Sequence, residues 1–129
     1  MALRVVRLGT PRAPDEGLRI GTVRRPPRGV PRSEFATQDW YDVWFPTLSP
    51  SAALVRQAHE AKTAADWNAF FRHYTTEMKA PDAAHALDLL AAMSQHSDIS
   101  VGCYCEDEAH CHRKALRELL VARGATLAD

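Results

Sequence analysis

Residues 99–105 read ISVGCYC, and residues 106–113, which follow, read EDEAHCHR. The first stretch alternates, with Ile99, Val101, Cys103 and Cys105 on one face and Ser100, Gly102 and Tyr104 on the other. A period of two is the signature of a β-strand. An acidic turn over residues 106–108 leads into a helix that starts near His110 and turns Leu116, Leu119 and Leu120 inward. That helix is predicted to end before Gly124, the residue type that most readily takes the left-handed conformation at a helix terminus.

Working outward, residues 3–9 and 18–24 are short, rich in Val, Ile and Leu, and bounded by Gly, Pro and Asp, so both are predicted strands. Five of the eight prolines fall between positions 11 and 31, and residues 25–32, RPPRGVPR, form an extended loop. Residues 39–50, DWYDVWFPTLSP, gather Trp40, Tyr41, Trp44 and Phe45 into a cap over the core or a pocket wall. Helices follow. Ser49 with Pro50 predicts a helix start ahead of the apolar Leu54, Val55 and Ala58. Thr63 and Asp66 form a capping-box pattern. Behind them Trp67, Phe70, Phe71, Tyr74 and Met78 share one helical face, which is core. Pro81 and Asp82 open a further helix carrying Leu87, Leu90 and Ala91. Strands separated by helices predict one α/β domain over residues 1–129, a small partly parallel sheet flanked by helices in two or three layers.

The composition agrees with a folded globular chain: 129 residues, 46% hydrophobic and 25% charged. No apolar run approaches the ~20 residues of a membrane span, and the N-terminus lacks the apolar stretch of a secretory signal. The three cysteines cannot all pair with one another, which favours a reducing, cytoplasmic setting with free thiols or metal ligands. The zero net charge conceals an asymmetry. Residues 1–32 hold eight arginines against Asp15 and Glu16, a balance of +6, and the rest of the chain carries −6. Either the two parts pair within the fold or some arginines line an anion site. A nucleic-acid surface is not expected, because it needs stacking aromatics among the basic residues, and the aromatics lie elsewhere.

The chemistry concentrates in residues 103–113, which hold all three cysteines. At a turn from strand into helix, free N–H groups and the helix dipole attract anions and favour thiolate, so Cys111 is the best thiolate candidate. One reading is a zinc or iron site: Cys103 and Cys105 share a strand face, and Cys111 with His110 or His112 completes a tetrahedron, although the spacing is not a common zinc-finger one. A second is a nucleophilic Cys111 with His110 or His112 as base. His110, Cys111 and Arg117 match the HCx5R pattern of cysteine-dependent phosphatases, but no glycine shapes a phosphate-cradling loop between them. A third is a buried structural cysteine. His59, His73, His85 and His96 are expected on the surface.

Topology adds an argument. Ligands of open α/β sheets bind beyond the carboxyl ends of the strands. If the strands at 18–24 and 99–105 are parallel neighbours, Arg24 and Arg28 converge on Cys111 and the following helix start. Several arginines beside a helix N-terminus suit a phosphate or carboxylate. A small anionic ligand is therefore the expected partner, with Tyr104 and Arg113 of the same segment among its candidate contacts.

Residues 24–29, RRPPRG, followed late in the chain by a strand and Cys111-His112-Arg113, resemble the YeaO-like family, domain of unknown function 488. The segment from Trp44 to Ser51 and the W-x-x-F-x-x-x-Y pattern from Trp67 to Tyr74 carry the likeness across residues 3–124. The resemblance implies an α/β fold and a shared polar site, in which Cys103 or Cys105, Glu106 and Cys111-His112-Arg113 match the family's Cys, acid and Cys-His-Arg pattern. It adds Glu106 to Cys111 and His112 as catalytic candidates, and it implies no particular reaction. Val23 stands where many relatives carry Asp.

Overall fold

Four strands form one sheet in the order β1-β4-β2-β3, and every pairing is parallel. The computed structural model describes residues 1–128; Asp129, the last residue of the expected domain, lies outside the described residues. The strands are β1 (Leu3–Arg7), β2 (Leu18–Gly21), β3 (Val43–Trp44) and β4 (Ile99–Cys103). Helices α1 (Ala52–Glu60), α2 (Ala64–Glu77) and α3 (Pro81–Met93) lie between β3 and β4, and α4 (His112–Ala122) follows β4. This is the predicted α/β class. Among the described residues, no helix is long and apolar enough to cross a membrane.

Register sorts the sheet into two faces. Leu3 and Leu18 flank Ile99, and Val5 and Ile20 flank Val101. Leu3, Ile20, Ile99 and Val101 pack with Phe70, Tyr74, Leu87, Leu90, Leu116 and Leu120 in one core between sheet and helices. The opposite face presents Arg4 and Arg19 on either side of Ser100, and the loop 8–17 covers it through Glu16. Gly17 ends that loop with φ 74°, and a Cβ there would run into the Asp98 carbonyl, so a side chain would lift the loop from the sheet.

The aromatic stripe is core, as the helical spacing predicts: Phe70, Tyr74 and Met78 are buried, with Trp67 and Phe71 packed against them. The capping box forms, with Thr63 accepting from Asp66 N and Asp66 accepting from Thr63 N. Other boundaries shift. The N-cap of α1 is Ser51, because Ser49 Oγ donates to Pro46 O instead. All three predicted strands end two to three residues early, with β4 stopping at Cys103. The aromatic segment contributes β3, a two-residue edge strand too short for any periodicity to reveal. Tyr74 is fully buried and its hydroxyl donates to Leu48 O at 2.7 Å. Tyr74→Phe should therefore cost about 1–3 kcal/mol, measurable by chemical denaturation, because it strands a buried carbonyl.

Candidate functional site

β2 and β4 are parallel neighbours, with Leu18 opposite Ile99 and Gly21 opposite Gly102, so both chains leave the sheet at the same end. There they border a cavity of about 1240 Å³. The loop after β2 contributes Arg24, Arg25 and Arg28; the segment after β4 contributes Cys103, Tyr104, Cys105, His110, Cys111 and His112. Trp40, Val55, Trp67 and Phe70 make much of the remaining wall apolar.

The arginine loop is tied down at three points. Trp44 Nε1 donates to Val23 O at 2.8 Å, Arg24 Nε to Pro50 O at 3.0 Å, and the Tyr104 hydroxyl to Arg25 O at 2.9 Å. Proline stiffness and these bonds fix the path of the loop. Four of the other five N-terminal arginines are paired with acids. Arg4 pairs with Asp15, Arg7 with Glu106, Arg12 with Asp39 and Asp42, and Arg19 with Glu16. Among the described residues, Arg24, Arg25 and Arg28 have no carboxylate partner. Part of the basic arm thus pairs within the fold, and part of it lines the cavity.

The thiols gather at the far wall. Cys111 is the N-cap of α4 without a side-chain cap bond, and a 3-10 turn over Glu108–His110 delivers the chain to it. Cys103, Cys111 and His112 are all buried, and their ligating atoms lie within 4.8 Å of one another. Cys105, beyond the end of β4, is exposed with its Sγ 3.8 Å from Cys103 Sγ. All three cysteines are free thiols. Hydrogen bonding to Cys105 and Cys111 pushes the Cys103 thiol well up. Bonds from Cys103 and Cys111, helped by the Arg113 charge, hold Cys105 far below the usual thiol range. Bonding from Cys103, with His112 close by, lowers Cys111 as well.

His112 is oriented from behind. Its Nε2 lies 3.2 Å from Thr22 Oγ1, and that hydroxyl donates to Gly102 O at 3.0 Å. On its other side the ring sets Nδ1 3.7 Å from Cys111 Sγ. Thr22 is a site residue that sequence reasoning passed over. Its one signal is a hydroxyl inside a predicted apolar strand.

The remaining predicted residues take other positions. His110 stands at the cavity wall, exposed, with its ring stacked on Trp67 at 4.9 Å; it is outside the buried cluster that His112 joins. Glu106 is exposed and faces Arg7 at 3.7 Å. Arg113 is buried, donates to Cys105 O at 2.7 Å, and does not line the cavity. Arg117 of the HCx5R pattern makes a bidentate pair with Glu108 at 2.7 and 2.8 Å, away from the cavity, and Leu116 is core. That pattern therefore assembles no phosphate loop. His59, His73, His85 and His96 are exposed, as expected.

The model of the DUF488-N3a family, described as the active DUF488-N3 subclade, matches residues 3–124. The chain belongs to the DUF488 family. Neither the comparison with curated proteins nor that with solved structures gives a match. Within this DUF488 chain the two segments that carried the resemblance, RRPPRG and Cys111-His112-Arg113, both contribute to the lining of one cavity although they lie far apart in sequence. Arg24, Arg28, Cys111 and His112 border one cavity, while Arg113 stands behind it as a support.

Proposed function

We propose that the protein binds a small organic molecule bearing a phosphate or carboxylate, gripped by Arg24 and Arg28 with Arg25 beside them. The observation that carries this reading is the contrast among the arginines. Arg4, Arg12 and Arg19 have acidic partners, as does Arg7, which also lines the cavity, whereas the three on the loop after β2 that border it have no carboxylate partner among the described residues. Three cationic side chains on one short loop repel one another, and an anion bound among them turns that repulsion into charge-assisted hydrogen bonds. The start of α4 opposite adds unpaired N–H groups and the positive end of its dipole. The cavity volume exceeds what a bare anion fills, and its aromatic and aliphatic walls suit a ligand with an apolar or ring-bearing body, such as a nucleotide.

Adenosine monophosphate and inorganic phosphate serve as probes. At constant ionic strength each should raise the thermal midpoint with concentration, as a ligand of the native state does. Arg24→Ala with Arg28→Ala should abolish that rise and leave the unliganded midpoint close to the parent's, since both side chains are exposed. Stabilisation that persists in the double variant, or that equimolar chloride reproduces, would refute the reading.

A further inference from the structure

We infer that Cys103, Cys111 and His112, with Cys105 as the fourth donor, form a binding site for a soft divalent cation of the zinc class. The site uses no donor from the arginine loop, although it shares the start of α4 with the anion reading. Of the two histidines that the sequence left open, it takes His112 and not His110.

Geometry supports it first. With Zn–S bonds of about 2.3 Å and Zn–N bonds of about 2.0–2.1 Å, adjacent tetrahedral ligands lie about 3.8 Å apart for two sulfurs and about 3.6 Å apart for sulfur and nitrogen. Cys103 Sγ and Cys105 Sγ are 3.8 Å apart, and Cys111 Sγ and His112 Nδ1 are 3.7 Å apart. Cys103, Cys111 and His112 already cluster within 4.8 Å. Cys105 stands outside that cluster, at the exposed rim beside Cys103, where it is the nearest further thiol. The donors come from two rigid supports, the end of the central strand β4 and the first turn of α4.

The setting of the His112 ring is the second support. A metal takes an unprotonated imidazole nitrogen, and its histidine ligands typically donate the other N–H to an outer partner. Thr22 Oγ1, 3.2 Å from His112 Nε2, stands where that outer partner belongs, while Nδ1 faces the thiols at 3.7 Å from Cys111 Sγ.

Charge balance is the third. Arg113 is 3% exposed, has its Nε without a hydrogen-bond partner and has no carboxylate partner among the described residues. A buried guanidinium needs a counter-charge. Three thiolates and one imidazole around a divalent ion carry a residual charge of minus one, and Arg113 sits directly behind Cys105 to balance it.

The test is metal content and spectroscopy. Protein produced without a metal-affinity tag and purified without chelator should carry about one equivalent of zinc, with the thermal midpoint falling after stripping. Titration of stripped protein with cobalt(II) should give a thiolate-to-cobalt charge-transfer band and the strong visible bands of a tetrahedral ion. Cys103→Ser with Cys111→Ser should lose both, and Cys105→Ser should weaken the charge-transfer band. Thr22→Val should lower zinc affinity by about 10–100-fold. Because the wild-type titration needs no substitution, misfolding of a variant does not obscure the answer. Wild-type protein that takes up neither ion would overturn the proposal, as would full binding by the double cysteine variant; an unchanged band in Cys105→Ser would overturn the four-ligand set.

Discussion

Arg19→Ala should destabilise the protein by about 3–5 kcal/mol, the cost of leaving a buried charge without its partner. Arg19 is fully buried and uses its whole guanidinium. Nε and Nη2 grip Glu16 at 2.6 and 2.9 Å, and Nη1 donates to the carbonyls of Thr10 and Asp39 at 2.9 and 2.7 Å. Ser100 Oγ adds a bond to Glu16 at 2.8 Å from the central strand. Alanine would strand the Glu16 carboxylate and two carbonyls in one step. Glu16→Ala should cost a similar amount, and the double variant less than the sum of the singles, because it strands no charge. Urea denaturation of the four proteins measures each value; additive costs would show that the pair is not coupled. The pair also confers a pH dependence. Burial alone would raise the Glu16 pKa, but hydrogen bonds from Arg19 and Ser100 outweigh it and hold the group below its ordinary value of 4.5. The unfolded chain therefore takes up this proton first as the pH falls. Glu16 contributes its stability in full above that ordinary value, and the contribution is lost as the pH drops through the depressed folded value. Subtracting the Glu16→Ala curve from the wild-type curve isolates the effect.

Arg19 also illustrates where sequence reading stops. Counted along the chain it is one of eight arginines in a basic arm, indistinguishable from Arg24 or Arg28. Only the register that sets Arg19 beside Ser100, under the loop carrying Glu16, makes it a buried structural charge. What was legible rested on periodicity and local chemistry: the strand beginning at Ile99, the Thr63 and Asp66 box, and the stripe through Phe70 and Tyr74. The convergence of the two loops was legible as a conditional, because parallel neighbours end on the same side of a sheet. The choice between His110 and His112 was not. A short 3-10 turn moves the helix start from the neighbourhood of His110 to His112, and two residues swing a side chain about 200° around a helix axis. Likewise, alternation places Cys105 on the strand face of Cys103, but β4 ends before it and leaves it at an exposed rim.

Phe70→Ala should cost about 3–5 kcal/mol, because a large apolar side chain leaves a packed site that cannot fully close behind it. Phe70 is 1% exposed, and its ring meets Trp67 at 5.7 Å and Phe71 at 5.6 Å, both edge to face. It belongs to the main core and also lines the cavity, so one ring joins the helical packing to the site wall. The void left by alanine would open onto the cavity, and Trp67, held on its other side by the His110 ring at 4.9 Å, cannot sink into it without abandoning that stack. Relaxation is therefore restricted, which favours the full cost over partial collapse. Phe70→Leu retains most of the volume and should cost less than about 1.5 kcal/mol. In urea the alanine variant should lower the midpoint with an unchanged slope, the sign that stability has changed while the extent of unfolding has not. A midpoint equal to the parent's would remove the stripe from the core and, with it, the rigid wall on which the site is built.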